Sequence, residues 1–391
     1  MTDQAMLEGI TVLDFGRLLP SGVATYQLAA LGATVVKVER PPLGDHLRVN
    51  PPLIGGRGDM HLDINRNKLS LALDFATESG RRVAHRLIRS ADVVVESSRP
   101  GALAKYGLGY SDVRQIRPGI VYCSFTGYGQ AGPYAHMPAH GLSADAAGGM
   151  LIPAPGDPPA APRGYTSAGA WAAGMHGAVA ITAALVRRHP DGCHLDISQS
   201  DAAAAFNFRH VDLAGNRHDS AEGSFEEIGP RYAAYRCQDG RYVLLTVTER
   251  RLWNDFCDAV GRPDLRSDSG PDLLPYENDP ALAAELTRIF TSRPQPDWMA
   301  LAAERRLGIA PVHDPRDLAE DPHFTERRTI EEMPHPVSGR VRLVTHPVAV
   351  SGVKAVLRPA PELGEHSRAV LCEAGFSAAE IDALIADGVV T

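Results

Sequence analysis

The sequence predicts an α/β fold in which a doubly wound parallel sheet is followed by a smaller α+β domain. Three observations carry that expectation. Apolar, β-rich runs alternate with helical patterns through the first third of the chain, as in βαβ units. The texture changes near residue 230, where a hairpin signal precedes several amphipathic helices. Finally, 391 residues with 44% hydrophobic and 22% charged side chains suffice for two ordinary globular domains.

The elements follow in order. Residues 10–15 form a short β-rich run. Residues 22–31 are helical, with Gly32 placed to end the helix. Residues 34–38 are apolar enough for a strand buried on both faces. A helix is expected at 78–89 and strands at 92–95 and 120–125. After a Pro/Gly stretch at 153–163, residues 168–186 contain no Lys, Arg, Asp or Glu. Their alanines, glycines and His176 favour a buried helix over a membrane span. A strand at 194–197 completes the first part of a large domain, residues 1–209. Residues 210–230 lack periodicity and read as a linker. Runs at 232–236 and 241–247 flank Gln238-Asp239-Gly240, a hairpin turn. With helices at 252–260, 280–291 and 298–306 they make a small domain over 231–307. A second linker, 308–347, leads to a final segment, 348–391, where Ser377 and Glu380 form a capping box ahead of Ile381, Leu384 and Ile385.

Composition excludes several classes. The net charge of −8, from 39 Lys and Arg against 47 Asp and Glu, argues against nucleic acid as a partner. The five cysteines (Cys123, Cys193, Cys237, Cys257 and Cys372) form no CxxC pair, so neither a disulfide framework nor a bound metal is expected. Met1 to Gly9 is polar and acidic, so a cytoplasmic location without membrane attachment is expected.

A βαβ start invites a dinucleotide, but the turn after the first strand reads Phe15-Gly16-Arg17-Leu18-Leu19-Pro20-Ser21-Gly22 and lacks the GxGxxG fingerprint. Glu39 imitates a ribose-binding acid, yet Arg40 follows it directly, so NAD is not expected. Basic residues do gather near the predicted C-terminal strand ends: Arg40, Arg48, Arg66, Lys68, Arg99 and Lys105. A ligand with several phosphates suits such a set; the competing reading for each is solvated surface charge. Arg40 and Arg99 precede prolines, which restricts their backbone.

The runs LEGITVLDF at 7–15, LGATVVKVERP at 31–41 and NRNKLSL at 65–71 resemble the family III CoA-transferases. So do ADVVVE at 91–96, RPG at 99–101, GLGY at 107–110, TGYGQ at 126–130, DGRYV at 239–243 and GEH at 364–366. That family includes formyl-CoA transferases, carnitine CoA-transferases and α-methylacyl-CoA racemases. The resemblance implies a Rossmann-like large domain built from both chain ends, a smaller domain between them, and two subunits interlocked like links. Such a dimer is obligate, either a homodimer or a heterodimer with a paralogous chain. It also implies coenzyme A or an acyl-CoA as the ligand. Arg40 matches a position near the nucleotide end; Ser97, Ser98 and Lys105 match the same groove, and Arg99 of the basic cluster is expected to bind beside them; Leu73 matches a position beside the adenine. Lys105 keeps the charge of an arginine but loses its planar fork.

The resemblance further implies a catalytic Asp at the start of the helix near residue 168. Its carboxylate attacks an acyl-CoA thioester to give a mixed anhydride, and the CoA thiolate returns to form an enzyme thioester. A helix N-terminus favours that anion. Aligned on Ala173-Gly174-Met175, this position holds Ala170; the racemase spacing places Gly169 there. Asp145 and Asp157 are the nearest carboxylates and would be atypical substitutes. His140 matches the racemase His/Tyr position, where the family's next residue, an Asp, is here Gly141; Glu249 matches the opposing acid. A packed core histidine and a surface glutamate are the competing readings. An engineered change, a natural subunit without a nucleophile, and other acyl-CoA chemistry each account for Ala170. The expected function is therefore CoA transfer between carboxylic acids, by this chain or with a competent partner. The alternatives are a 2-methylacyl-CoA racemase using His140 and Glu249, and an acyl-CoA-binding subunit without chemistry of its own.

Overall fold

A computed structural model describes residues 5–151, 167–187, 190–216, 229–274, 278–353 and 357–391. The chain divides into two compact units, Met1–Asn216 with Thr329–Thr391, and Arg217–Arg328. The first unit begins β1 (Thr11–Asp14), α1 (Leu19–Ala30), β2 (Thr34–Glu39), β3 (Leu53–Ile54), β4 (Arg57–Gly58), α2 (Asp59–Ile64), β5 (Leu69–Ala72) and α3 (Glu78–Ile88). It continues β6 (Val93–Glu96), α4 (Tyr110–Ile116), β7 (Val121–Thr126), α5 (Gly141–Ala147), α6 (Ala168–Arg187), β8 (Cys193–Ser198), α7 (Gln199–Phe206) and α8 (Phe208–Asn216).

Six strands form one parallel sheet in the order β5-β2-β1-β6-β7-β8. Alternate side chains face opposite layers. Val12, Val35, Val93 and Val95 pack with Ala24 and Leu28 of α1 and Ala173 of α6. Leu13, Val36, Val38, Leu71 and Val94 pack with Val83 and Leu87 of α3 and Val113 of α4. Burial on both faces explains the unbroken apolar runs. The connections after β1 and β6 leave to opposite faces, α1 packing on one layer and α4 on the other, so these strand ends are the topological switch point, outside which such sheets hold ligands in a crevice.

The apolar segment expected to be a buried helix is α6. It seats on its neighbours through glycines: a Cβ at Gly174 would lie 2.6 Å from Val23 Cβ, and one at Gly177 would lie 2.2 Å from Phe125 Cζ. Its length and composition also suit a membrane span, but this glycine face packs onto α1 and β7 as a core helix does. Met175, Val179 and Val186 on α6 are exposed.

The second unit holds an antiparallel sheet of β9 (Tyr232–Arg236), β10 (Tyr242–Thr246) and β11 (Ile309–Val312), in the order β11-β10-β9. Around it lie α9 (Arg250–Ala259), α10 (Pro280–Phe290), α11 (Gln295–Arg305) and α12 (Pro322–Glu326). Its core is aromatic, with Trp253, Phe256, Phe290 and Trp298 buried and Tyr235 stacked on Phe290.

The chain then returns to the first unit with β12 (Ile330–His335), β13 (Gly339–Val344), α13 (Ser367–Glu373) and α14 (Ala378–Ala386). The tail binds the edge strand: His366 N donates to Ser70 O and Asp74 N to Val389 O. Ser377 and Glu380 form the expected capping box of α14.

The structure adds helices that the sequence reading lacks, among them α2, α4, α5 and α7, and differs from it in three further segments. The segment 308–347, read as a linker, contains β11, α12 and the β12–β13 hairpin. Gly339, at φ 75°, starts the returning strand of that hairpin. Strand β5 went unread because Leu69-Ser70-Leu71-Ala72 is short. Helix α8 runs into the expected 210–230 linker as far as Asn216; residues 217–228 of that linker, and the Pro/Gly stretch at 153–163, lie outside the described residues.

Candidate active site

The β1/β6 crevice is built by backbone and hydroxyl groups. β1 ends at Asp14 and β6 at Glu96, both buried. Ser97 Oγ accepts from Arg17 N at 2.7 Å and donates to Arg17 O at 2.9 Å. Ser98 N donates to Glu96 Oε2 at 2.6 Å. Arg40, beyond β2, is exposed, 3.0 Å from Asp74 Oδ1, with its guanidinium over the Phe75 ring. Arg99 and Lys105 are exposed, and Leu73 is fully buried.

The other basic residues of the sequence-read cluster are internal. Arg48 forks onto Glu39, Nε to Oε1 at 2.9 Å and Nη2 to Oε2 at 2.6 Å. Arg66 Nη2 donates to Tyr26 Oη and Val344 O. Lys68 Nζ donates to Thr25 Oγ1 at 2.7 Å and lies 3.4 Å from Asp14 Oδ2. All three are buried, where a charge persists only with partners. Burial alone would raise the pKa of Glu39; the Arg48 hydrogen bonds and the Lys37 charge outweigh it and hold it at about 2. The carboxylate that mimics a ribose ligand is therefore fully engaged. Burial pushes Lys68 down to about 8 against the opposing pull of Asp14.

Ala170 lies in the first turn of α6. Ser167 caps the helix, its Oγ accepting from Ala170 N at 3.1 Å. Ala170 is 1% exposed. The carboxylate at this turn comes from α5: Asp145, fully buried, accepts from Gly169 N at 2.7 Å. A Cβ on Gly141 would lie 3.8 Å from Ala170 Cβ and 2.5 Å from Ser167 Cβ. The structure thus brings Gly141, Ser167 and Ala170 together, and neither position matched to a family acid carries one. His140 precedes α5 and is exposed, so it is not a packed core histidine. Glu249 lies in the second unit as the N-cap of α9, exposed, with Oε2 3.3 Å from Thr248 Oγ1. Among the described residues, no group of three His, Cys, Asp or Glu is placed to hold a metal.

Two features escaped sequence reading: the Asp145 cap, which joins residues 24 apart, and the turn carrying Arg17, whose only signal was its place after β1.

Comparison with known proteins agrees with this architecture. The sequence model of CoA-transferase family III matches residues 7–367. A succinyl-CoA:glutarate CoA-transferase of Mus musculus is 32% identical over 98% of this chain and 90% of its own length. An acetyl-CoA:oxalate CoA-transferase of Acetobacter aceti is 29% identical over 95% of this chain and 96% of its own. Among solved structures, a hypothetical protein of Mycobacterium tuberculosis, Rv3272, superposes with a TM-score of 0.77 at 28% identity, over 94% of this chain and 99% of that one.

Proposed function

The chain belongs to CoA-transferase family III, and on that premise we propose that it binds an acyl-CoA in the β1/β6 crevice and serves CoA transfer between carboxylic acids, with Ala170 standing at the nucleophile position. Arg40, Ser97, Ser98, Arg99 and Lys105 line the nucleotide end, whereas Leu73, buried in the core, supports that end from within and does not present its side chain to the adenine. The observation that carries the reading is the first turn of α6, where Ala170 faces Gly141.

Transfer requires a carboxylate oxygen to attack the thioester carbonyl carbon, breaking the C–S bond and releasing CoA thiolate. The thiolate then attacks the enzyme-side carbonyl of the anhydride, frees the acid and leaves an enzyme thioester for the acceptor carboxylate. The methyl group of Ala170 supports neither step. Asp145 is buried and hydrogen-bonded to Gly169 N, which suits holding the helix better than attacking a substrate. The chain therefore acts as a nucleophile-less subunit that binds acyl-CoA and transfers CoA beside a competent homologous chain. Exposed Met175, Val179 and Val186 on α6, with Phe206, Phe208 and Val211 on α7 and α8, supply an apolar face for the second chain of an interlocked dimer.

Calorimetry with CoA, followed by exchange between an acyl-CoA and a labelled acid, tests this reading. CoA binding without exchange is expected for the purified chain, and exchange once a competent homologous chain is added. Exchange of the substrate α-proton with deuterium, without CoA transfer, would instead favour the racemase using His140 and Glu249.

A further inference from the structure

The turn between β1 and α1 is held from behind by buried charge. Gly16 N donates to Asp14 Oδ1 at 2.9 Å, and Gly16 O accepts from Lys37 Nζ at 3.0 Å. Arg17 N and O both meet Ser97 Oγ. Leu18 N donates to Asp45 Oδ2 at 3.1 Å. Each backbone polar group from Gly16 N to Leu18 N thus has a side-chain partner, so the turn has little freedom left. Lys37 and Asp45 pair at 2.9 Å with side chains 0% and 1% exposed, and Asp45 also accepts from Leu47 N at 3.0 Å.

This restraint imposes an unfavourable backbone. Leu18 has φ 65° and ψ −161°, an extended positive-φ conformation populated almost only by glycine, which costs a side chain about 1–3 kcal/mol. Gly16 has no room for a side chain, since a Cβ would lie 2.2 Å from Ser21 Oγ. Strain of this kind persists where the surroundings over-determine it, commonly at ligand sites. The turn also sits at the β1/β6 crevice. Arg17 is exposed there, whereas Arg40 pairs with Asp74 and Arg48 with Glu39.

We propose that Arg17 binds an oxyanion of the acyl-CoA ligand, and that Lys37 and Asp45 are positioning residues that fix the turn presenting it. The inference rests on the acyl-CoA reading above. Its chemistry is that of a guanidinium fork on a phosphate of CoA or on the carboxylate of a dicarboxylic acyl group.

The experiment is calorimetry of wild type, Arg17→Ala, Asp45→Asn and the double variant against CoA, pantetheine, acetyl-CoA and succinyl-CoA. Loss of one charge-assisted contact should weaken binding by about 10–100-fold. If the oxyanion is a phosphate, Arg17→Ala loses CoA affinity and keeps that for pantetheine. If it is the acyl carboxylate, CoA affinity is kept and succinyl-CoA weakens relative to acetyl-CoA. Asp45→Asn should show the same ligand pattern, and the double variant should bind no worse than Arg17→Ala, because both changes disable one contact. Should Asp45→Asn fail to fold, Ser97→Ala, which releases Arg17 N and O, takes its place in the same cycle. Arg17→Ala without effect on any probe overturns the role of Arg17, and additive losses overturn the positioning role. Wild type that binds no CoA would instead refute the acyl-CoA reading itself.

Discussion

The carboxylate of Asp145 accepts a hydrogen bond from the amide of Gly169 at 2.7 Å, so the first turn of α6 is neutralised by an acid from α5 rather than by one of its own. Gly169 admits this approach because it has no Cβ; one placed there would lie 2.4 Å from Asp145 Oδ1. The neighbouring Ala170 leaves the turn without a second carboxylate.

Asp145→Asn keeps the shape of the cap and removes its charge. It should cost about 1–2 kcal/mol, because the hydrogen bond survives in weaker, neutral form and the helix-dipole contact is lost. Urea unfolding would register this as a lower midpoint at unchanged slope; an unchanged midpoint would show that the Asp145 charge does not hold α6.

His61 sets a pH dependence. It is fully buried, with Nε2 3.3 Å from Arg48 Nη1. Burial and the Arg48 charge push its pKa from 6.5 down to about 3. The unfolded chain therefore binds the extra proton between those values, and stability falls as pH falls through that window. Glu39 and Asp45, each held at about 2, add their loss only below about pH 4.5, where unfolded carboxylates begin to protonate. His61→Gln should flatten the stability profile between pH 6.5 and 4.5 and leave the steeper acid limb intact. Unfolding series at pH 7, 6, 5 and 4 measure both limbs, and identical slopes for wild type and variant would refute the assignment.

The sheet was legible because its strands are buried on both faces. Val12, Val35 and Val93 serve one layer and Leu13, Val36 and Val94 the other, so the runs read as unbroken apolar segments. The hairpin β12–β13 was not, because its prolines and Gly339 resemble breakers when pairing partners are unseen. Charge was the least legible property. Arg48, Arg66 and Lys68 read like ligand cations, yet the fold places each against an internal acid or carbonyl. The site was half legible. Alignment marked position 170, but the proximity of Gly141, and of Asp145 to Gly169, exists only once α5 and α6 pack together.

Arg40 should contribute to CoA affinity. It is half-exposed and lies 3.0 Å from Asp74 Oδ1, so a phosphate must compete with that carboxylate. Arg40→Ala should weaken CoA by about tenfold or more. Calorimetry giving equal affinities would remove Arg40 from the site.

The exposed apolar face of α6 should be an interface. An interlocked pair cannot separate without unfolding, so sedimentation at nanomolar concentration should show a dimer. Val179, 66% exposed, should tolerate Val179→Glu in a folded monomer but not in the interlocked dimer. A folded wild-type monomer at that concentration would refute the interlocked assembly.

The most direct measurement concerns Ala170. The purified Ala170→Asp variant is incubated with an acyl-CoA and analysed by peptide mass spectrometry, with hydroxylamine or borohydride trapping. Trapping should convert an enzyme–CoA thioester on the introduced carboxylate into its hydroxamate or primary alcohol with release of CoA, and CoA exchange should rise by several orders of magnitude, since a nucleophile divides one hard step into two easier ones. The unsubstituted chain should give neither adduct nor exchange. Robust exchange by the unsubstituted chain, free of any homologous partner, would contradict the placement of the nucleophile at position 170 and make Asp145 the next residue to replace.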